Sequence, residues 1–209
     1  MALSKIDVAN MLTGEVPNAN VATVGVAKGG TGLTSGTTNQ FLKFTGSTTL
    51  ASAADNAGIQ VAGQFRITSN QTGDQDPLNA WEESDNATYT RIGSAITQSS
   101  GIFSFPSTGI YLIVWDIACN SGNGTDKSAG WEIYMTTDNS SYTKIARNTA
   151  SFGATYEYKN NNLSCMIDVT NTTNDKIKFT VSGTNNVVLT DGNSGENQTA
   201  VTFVRLGDT

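Results

Sequence analysis

The sequence predicts an all-β protein, a sandwich or barrel of about ten strands, preceded by an N-terminal stretch with no core of its own. Three observations lead there. Charged residues are only 14% of the 209-residue chain, and polarity comes instead from Thr, Ser, Asn and 21 glycines, which suit turns and strand edges. Segments that alternate apolar and polar residues recur at intervals of roughly 8 to 14 residues between Asn/Gly/Asp turns, the spacing of sandwich strands. The densest apolar run, GIFSFPSTGIYLIVWDIAC from Gly101 to Cys119, is β-branched and aromatic and is cut by Pro106 and Gly109. That pattern opposes a helix.

This run reads as a strand through Phe103 and Phe105, a tight turn at Pro106–Gly109, and a central strand through Ile110, Tyr111, Leu112, Ile113, Val114 and Trp115. An unbroken apolar strand implies cover on both faces. Before it, Gln60–Thr68 places Val61, Gly63, Phe65 and Ile67 on one face, Asn70–Pro77 is loop chemistry, Leu78–Trp81 is a short strand, and Ala87–Ile96 is another. After it, NSGNGTDKS (120–128) is a long turn and Gly130–Thr136 alternates Trp131, Ile133 and Met135 against Glu132 and Tyr134. Asp138–Ser141 turns into a strand at Tyr142–Asn148. Leu163–Val169 and Lys176–Ser182 alternate clearly, Val187–Leu189 is short, and Asp191–Asn197 is a loop. Thr199–Leu206 closes the chain with Val201 and Phe203 on one face and Ala200, Val204 and Leu206 on the other, so it belongs inside a sheet.

Composition narrows the chemistry. Twelve basic and 18 acidic residues leave a net charge of -6, which repels phosphate backbones and argues against nucleic-acid binding. With no histidine, neither a Ser-His-Asp nor a Cys-His arrangement can form within the chain. Cys119 and Cys165 are too few for a disulfide scaffold and read as small buried hydrophobes. The acid pairs Glu82/Glu83 and Asp74/Asp76 read as solvated loop acids. Asp191–Asn197 lacks the glycine and bidentate glutamate of a calcium loop, and Gly29–Gly32 lacks the Lys-Ser/Thr of a phosphate loop. No catalytic group, metal site or cofactor is expected. The start, MALSKIDVANML, lacks the basic and apolar blocks of a signal peptide, and no run approaches a membrane span of about 20 apolar residues.

Residues 1–55 form a separate region, with no Trp, Tyr or Cys. Their scattered apolar residues are too few to offset an ordering cost of about 1–2 kcal/mol per residue. A Gly/Ser linker would not retain Val16, Val21, Val24, Val26, Leu33, Phe41, Leu42 and Phe44, so the region is expected to order against copies of itself or a partner. Its series of Ala27–Gly32 with a Gly-Gly-Thr-Gly box, Gln40–Lys43, and Gly46–Ala53 resembles a segment that recurs in bacteriophage tail-fibre and other virion fibre proteins. Leu12–Ala19 resembles the Gly-x-Val/Ile-Pro-x-Ala units upstream of that box. The resemblance covers about a quarter of the chain. It implies an extended, mostly irregular, trimeric shaft or attachment segment, with Val16, Pro17, Val21, Gly29, Gly30, Gly32, Phe41 and Leu42 as anchor candidates.

Phe103-Ser-Phe-Pro106-Ser-Thr-Gly109-Ile-Tyr111 resembles the Phe-x-x-Pro-x-x-Gly-x-Tyr region of complement-type globular heads, which are tumour necrosis factor-like jelly rolls, and Val201–Leu206 is similar to their buried last strand. At fold level this resemblance spans about 60–209. It implies an antiparallel jelly-roll β-sandwich that associates as a homotrimer, with Ile110, Tyr111, Leu112, Ile113, Val114, Trp115, Val201 and Phe203 divided between core and subunit interface.

Together these readings describe a 1–55 anchor and a 56–209 head. The function expected is that of a non-enzymatic virion structural protein of a tailed bacteriophage, made in the infected cell's cytoplasm. It would be a short trimeric tail or head fibre for host attachment, because about 55 residues extend at most roughly 3.3 Å each. A capsid or tail decoration protein without receptor binding, and a bacterial carbohydrate-binding adhesin module, are the alternatives. The expected partners are copies of itself, other virion proteins through the N-terminal segment, and a host-surface glycan. For the last, Trp81, Trp131, Tyr142, Tyr156 and Tyr158 and the loops at 120–128, 151–162 and 183–198 are the candidates.

Overall fold

Fourteen strands and no helix make up the described residues, 40–46, 49–53, 58–123 and 128–209, of the computed structural model. In chain order they are β1 (Phe41–Gly46), β2 (Thr49–Ala53), β3 (Ala62–Ile67), β4 (Ser69–Thr72), β5 (Trp81–Glu83), β6 (Thr97–Ser99), β7 (Ile102–Ser104), β8 (Gly109–Asn120), β9 (Ser128–Thr136), β10 (Thr143–Ser151), β11 (Tyr158–Val169), β12 (Lys176–Ser182), β13 (Leu189–Asn193) and β14 (Ala200–Gly207). The chain divides between Ala57 and Gly58. Val16, Pro17, Val21, Gly29, Gly30 and Gly32 lie outside the described residues.

Ahead of the division, β1 and β2 pair as an antiparallel hairpin, Phe41 opposite Ala53 and Phe44 opposite Leu50. Within the segment expected to run extended and irregular, residues 41–53 therefore turn back on themselves. Phe41, Leu42 and Phe44 are more than half exposed.

Beyond the division, β3–β14 build two antiparallel sheets. One has five strands in the order β10-β9-β12-β7-β6. The other has seven, in which β8 pairs with β11 along one edge and with β14 and then β13 along the other. The order continues from β14 to β3 and β5, and from β13 to β4. Alternation sets which side chains face inward. On β8, Tyr111, Ile113, Trp115, Ile117 and Cys119 are buried, and on β14 Val201 and Phe203 are fully so. From the opposite sheet Phe103, Trp131, Ile133, Ile177, Phe179 and Val181 meet them. Trp115, Phe179, Phe203, Phe103, Phe65 and Trp81 form a chain of edge-on and tilted ring contacts at centroid distances of 4.8–6.3 Å. Each such side chain contributes about 1.5–3 kcal/mol by leaving water.

Several boundaries differ from the sequence reading. Leu78–Ala80 is not a strand: Leu78 is buried, and β5 begins only at Trp81. Ala87–Ile96 is not a strand either. Asn86 caps a turn by accepting from the Tyr89 amide, Ile92 makes a single bridge to Ala62, and Gly93 follows at φ 68°. A Cβ there would lie 1.9 Å from the Gln60 carbonyl oxygen, so the chain must turn at a glycine. In the other direction, β11 starts at Tyr158, five residues before Leu163, and β10 runs on to Ser151. Half of the glycan-contact loop placed at 151–162 is thus strand, with the turn confined to 152–157, and β13 occupies 189–193 of the loop placed at 183–198.

Candidate functional site

The faces of the two sheets that point away from the core are the candidate sites. On the seven-stranded sheet, strand alternation turns Ile110, Leu112, Val114 and Ala118 outward from β8, Met166 from β11, Val204 from β14, and Ala62 from β3, while Leu206, at the bulge between Arg205 and Gly207, is 52% exposed. The register then lines four of them up. Met166 sits opposite Leu112, Leu112 opposite Val204, Val204 opposite Ala62, and Ala62 bridges Ile92. The result is an apolar row five residues wide across β11, β8, β14 and β3. Met166 is 67% exposed and Ile92 44%. Leu112, Val204 and Ala62 are half-buried.

Polarity rises along β8 away from that row. The next row is Ser164–Val114–Thr202–Gln64, in which Gln64 Nε2 donates to Thr202 Oγ1 at 2.8 Å. Beyond it, Asn162 Nδ2 donates to Asp116 Oδ1 at 2.6 Å. At the β3 edge Arg66 is fully buried yet satisfied, its guanidinium donating to Glu82 at 2.8 Å, to Asn86 Oδ1 at 2.6 Å and to Asp85. This fork pins the 82–86 segment over β3. Tyr89 adds to the cover, its hydroxyl accepting from the Gln64 amide at 2.9 Å and donating to Glu83 at 3.3 Å.

The outward face of the five-stranded sheet is charged. Glu132 on β9 is buried and accepts from Lys144 Nζ at 2.6 Å and Thr180 Oγ1 at 3.2 Å, with Arg147 Nε at 3.2 Å. Burial pushes its carboxyl upward, but the Lys144 ammonium and the hydroxyls of Thr180 and Tyr134 hold it below the usual range. Lys178 pairs with Asp76 and lies 4.8 Å from the Tyr142 ring centroid, a cation–π contact.

Position separates the eight core-or-interface candidates into inward and outward sets. Tyr111, Ile113, Trp115, Val201 and Phe203 are core, while Ile110, Leu112 and Val114 face outward. Among the described residues the central strand is covered on one face, by the opposite sheet; the second cover is the one expected from a neighbouring subunit. Sequence reasoning passed over Met166, Ala62 and Ile92. Met166 carried a usable signal, as an apolar residue on the polar side of an alternating strand. Among the glycan candidates, Trp81 and Trp131 are core residues, their indole N–H groups donating to the Leu78 carbonyl at 2.9 Å and to Thr190 Oγ1 at 3.0 Å. Tyr156 and Tyr158 are exposed. The acid pairs are not simply solvated: Glu82 and Glu83 hold Arg66 and Arg91, Asp74 accepts from Thr184, and Asp76 holds Lys178. Cys119 and Cys165 are free thiols. Burial pushes them up to about 12 and about 11 respectively.

No family model and no curated protein matches the chain. Solved structures do. Murine APRIL aligns at 14% identity over 70% of this chain and 98% of its own, with a TM-score of 0.52. Eiger TNF from S. frugiperda aligns at 14% identity over 73% and 96%, with a TM-score of 0.53. The domain is a tumour necrosis factor-like jelly roll. At this identity the likeness concerns the fold alone. Within such a jelly roll β14 is the closing strand, held here between β8 and β3.

Proposed function

We propose that the chain is a non-enzymatic virion structural protein of a tailed bacteriophage, a short homotrimeric appendage whose jelly-roll head contacts the host surface. The observation that carries this reading is the row Met166–Leu112–Val204–Ala62–Ile92. It is a continuous apolar band whose two ends, Met166 and Ile92, are 67% and 44% exposed, and self-association removes them from water. The N-terminal hairpin supports the same reading. A lone two-stranded hairpin is marginal in water, and one that exposes Phe41, Leu42 and Phe44 gains most by packing against copies of itself or a virion partner. The virion assignment rests on the fibre-like series from Leu12 to Ala53. Three heads on one short anchor raise effective concentration at a surface without strong single contacts.

Immunogold electron microscopy of phage particles with antibody to residues 58–209 tests the assignment. Label at the tail tip or on projecting fibres is expected. Label spread evenly over the capsid lattice would favour the decoration role, and particles without label would refute a virion protein.

A further inference from the structure

At the polar end of the same sheet face lies a cleft of about 490 Å3, lined by Asn70, Ala118, Tyr158, Asp191, Gly192 and Gln198 among others. Its volume falls within the roughly 300–1,000 Å3 of small-molecule sites. It is built, not left over. Asp191 is 9% exposed, and its Oδ1 accepts from Asn120 Nδ2 at 2.7 Å; Asn120 is fixed in turn by the Gly122 amide at 2.9 Å. Gly192 allows β13 to approach β4 closely: a Cβ there would lie 2.6 Å from the Ser69 carbonyl oxygen. Asn70 Oδ1 accepts from the Gly192 amide at 2.9 Å, which leaves its own NH2 as a donor. Gln198 Nε2 donates to Glu196 Oε1 at 2.9 Å, which leaves its carbonyl as an acceptor. The second oxygen of Asp191 has no partner among the described residues. Tyr158, opposite Asn120 at the start of β11, is 73% exposed and takes no part in the core.

We infer that this cleft binds a neutral saccharide, which names the partner class for the host-contact reading and rests on that reading. The chemistry selects this class. An anion would meet the Asp191 carboxylate with no lysine or arginine in the lining to offset it. A wholly apolar ligand would leave the Asn70 donor and the Gln198 and Asp191 acceptors buried and unpaired. A sugar ring supplies hydroxyls that both donate and accept, and its C–H face stacks on the Tyr158 ring. Burial pushes the Asp191 carboxyl above its ordinary range against the Asn120 hydrogen bond, as expected of an acceptor held ready in a partly dry site.

Saturation-transfer NMR on the full chain with glucose, galactose, mannose and N-acetylglucosamine at millimolar concentration tests the inference, with N-acetylneuraminic acid and inorganic phosphate as anionic controls. Transfer to at least one neutral sugar is expected. Tyr158→Ala and Gln198→Ala, both at exposed positions, should each weaken it by about tenfold, while Tyr158→Phe should keep most of it. Transfer to none of the four sugars, equal transfer to the anionic controls, or transfer unchanged in both alanine variants would overturn the site. A chain that binds sugar in this way but is absent from virions keeps the cleft and loses the appendage. A virion trimer that binds none of the four loses only the cleft.

Discussion

Glu132 and Leu112 occupy equivalent situations on opposite sides of one sandwich: each sits mid-strand, faces away from the core, and is flanked by hydrogen-bonded strands. Their surroundings differ in kind. Glu132 is ringed by Lys144, Arg147, Thr180 and Tyr134, so its sheet face completes its interactions within the chain. Leu112 is ringed by Met166 and Val204, which offer only more apolar surface. A face that ends in satisfied ion pairs gains little from a partner. A face that ends in an apolar row is completed only by one. The core positions make the fold, whereas the outward positions decide which side is finished.

The largest expected effect comes from carrying a charge across β8 to its inner face. Ile113→Asp places an unpaired carboxylate at a fully buried site, at a cost that rivals the roughly 5–15 kcal/mol stability of a whole domain. No soluble, cooperatively unfolding protein is expected, as judged by circular dichroism of the soluble fraction. The neighbouring Leu112→Asp should do something different. Its chain should fold with an unchanged β-sheet spectrum but sediment as single protomers. If both variants misfold, the outward face is part of the core and the contrast between the two faces fails.

A smaller effect is expected on the charged face. Glu132→Gln removes one charge from a half-solvated network and should lower the urea-unfolding free energy by about 1–2 kcal/mol, since partly exposed partners are screened. Its pH dependence has a fixed sign. The carboxyl sits below its unfolded value near 4.5, so its contribution is present above that pH and is lost as pH falls through the lower folded value. The wild-type chain should therefore lose stability on acidification below about pH 4.5 more steeply than Glu132→Gln. Equal slopes would place the acid sensitivity elsewhere. The smallest effect is chemical. With both thiols pushed up by burial, to about 12 and about 11, iodoacetamide at pH 8 should label neither Cys119 nor Cys165 until urea opens the fold, as read by mass spectrometry.

The sequence revealed the inward face more readily than the outward one, for a physical reason. Burial imposes strict alternation, so Tyr111, Ile113 and Trp115, or Val201 and Phe203, announce a strand and its orientation. The closing strand could be placed inside a sheet because Val204 and Leu206 are apolar on its second side as well. Outward positions carry no such demand. Tyr158–Asn162 is polar and rich in asparagine, yet it is strand, because its backbone pairs with Asn120–Asp116. Buried Arg66 and Glu132 were illegible because their partners come from residues 82–86 and from Lys144 and Thr180, joined only by register. The Met166–Ile92 row was hidden for the same reason: it is a property of four strands at once, and no single segment contains it.

Self-association is read from the mass in solution, by multi-angle light scattering of the intact chain at micromolar concentration. A homotrimer gives three times the 22.0 kDa of one chain, falling to 22.0 kDa in Leu112→Asp. An intact wild-type chain that elutes as a stable 22.0 kDa monomer would contradict it.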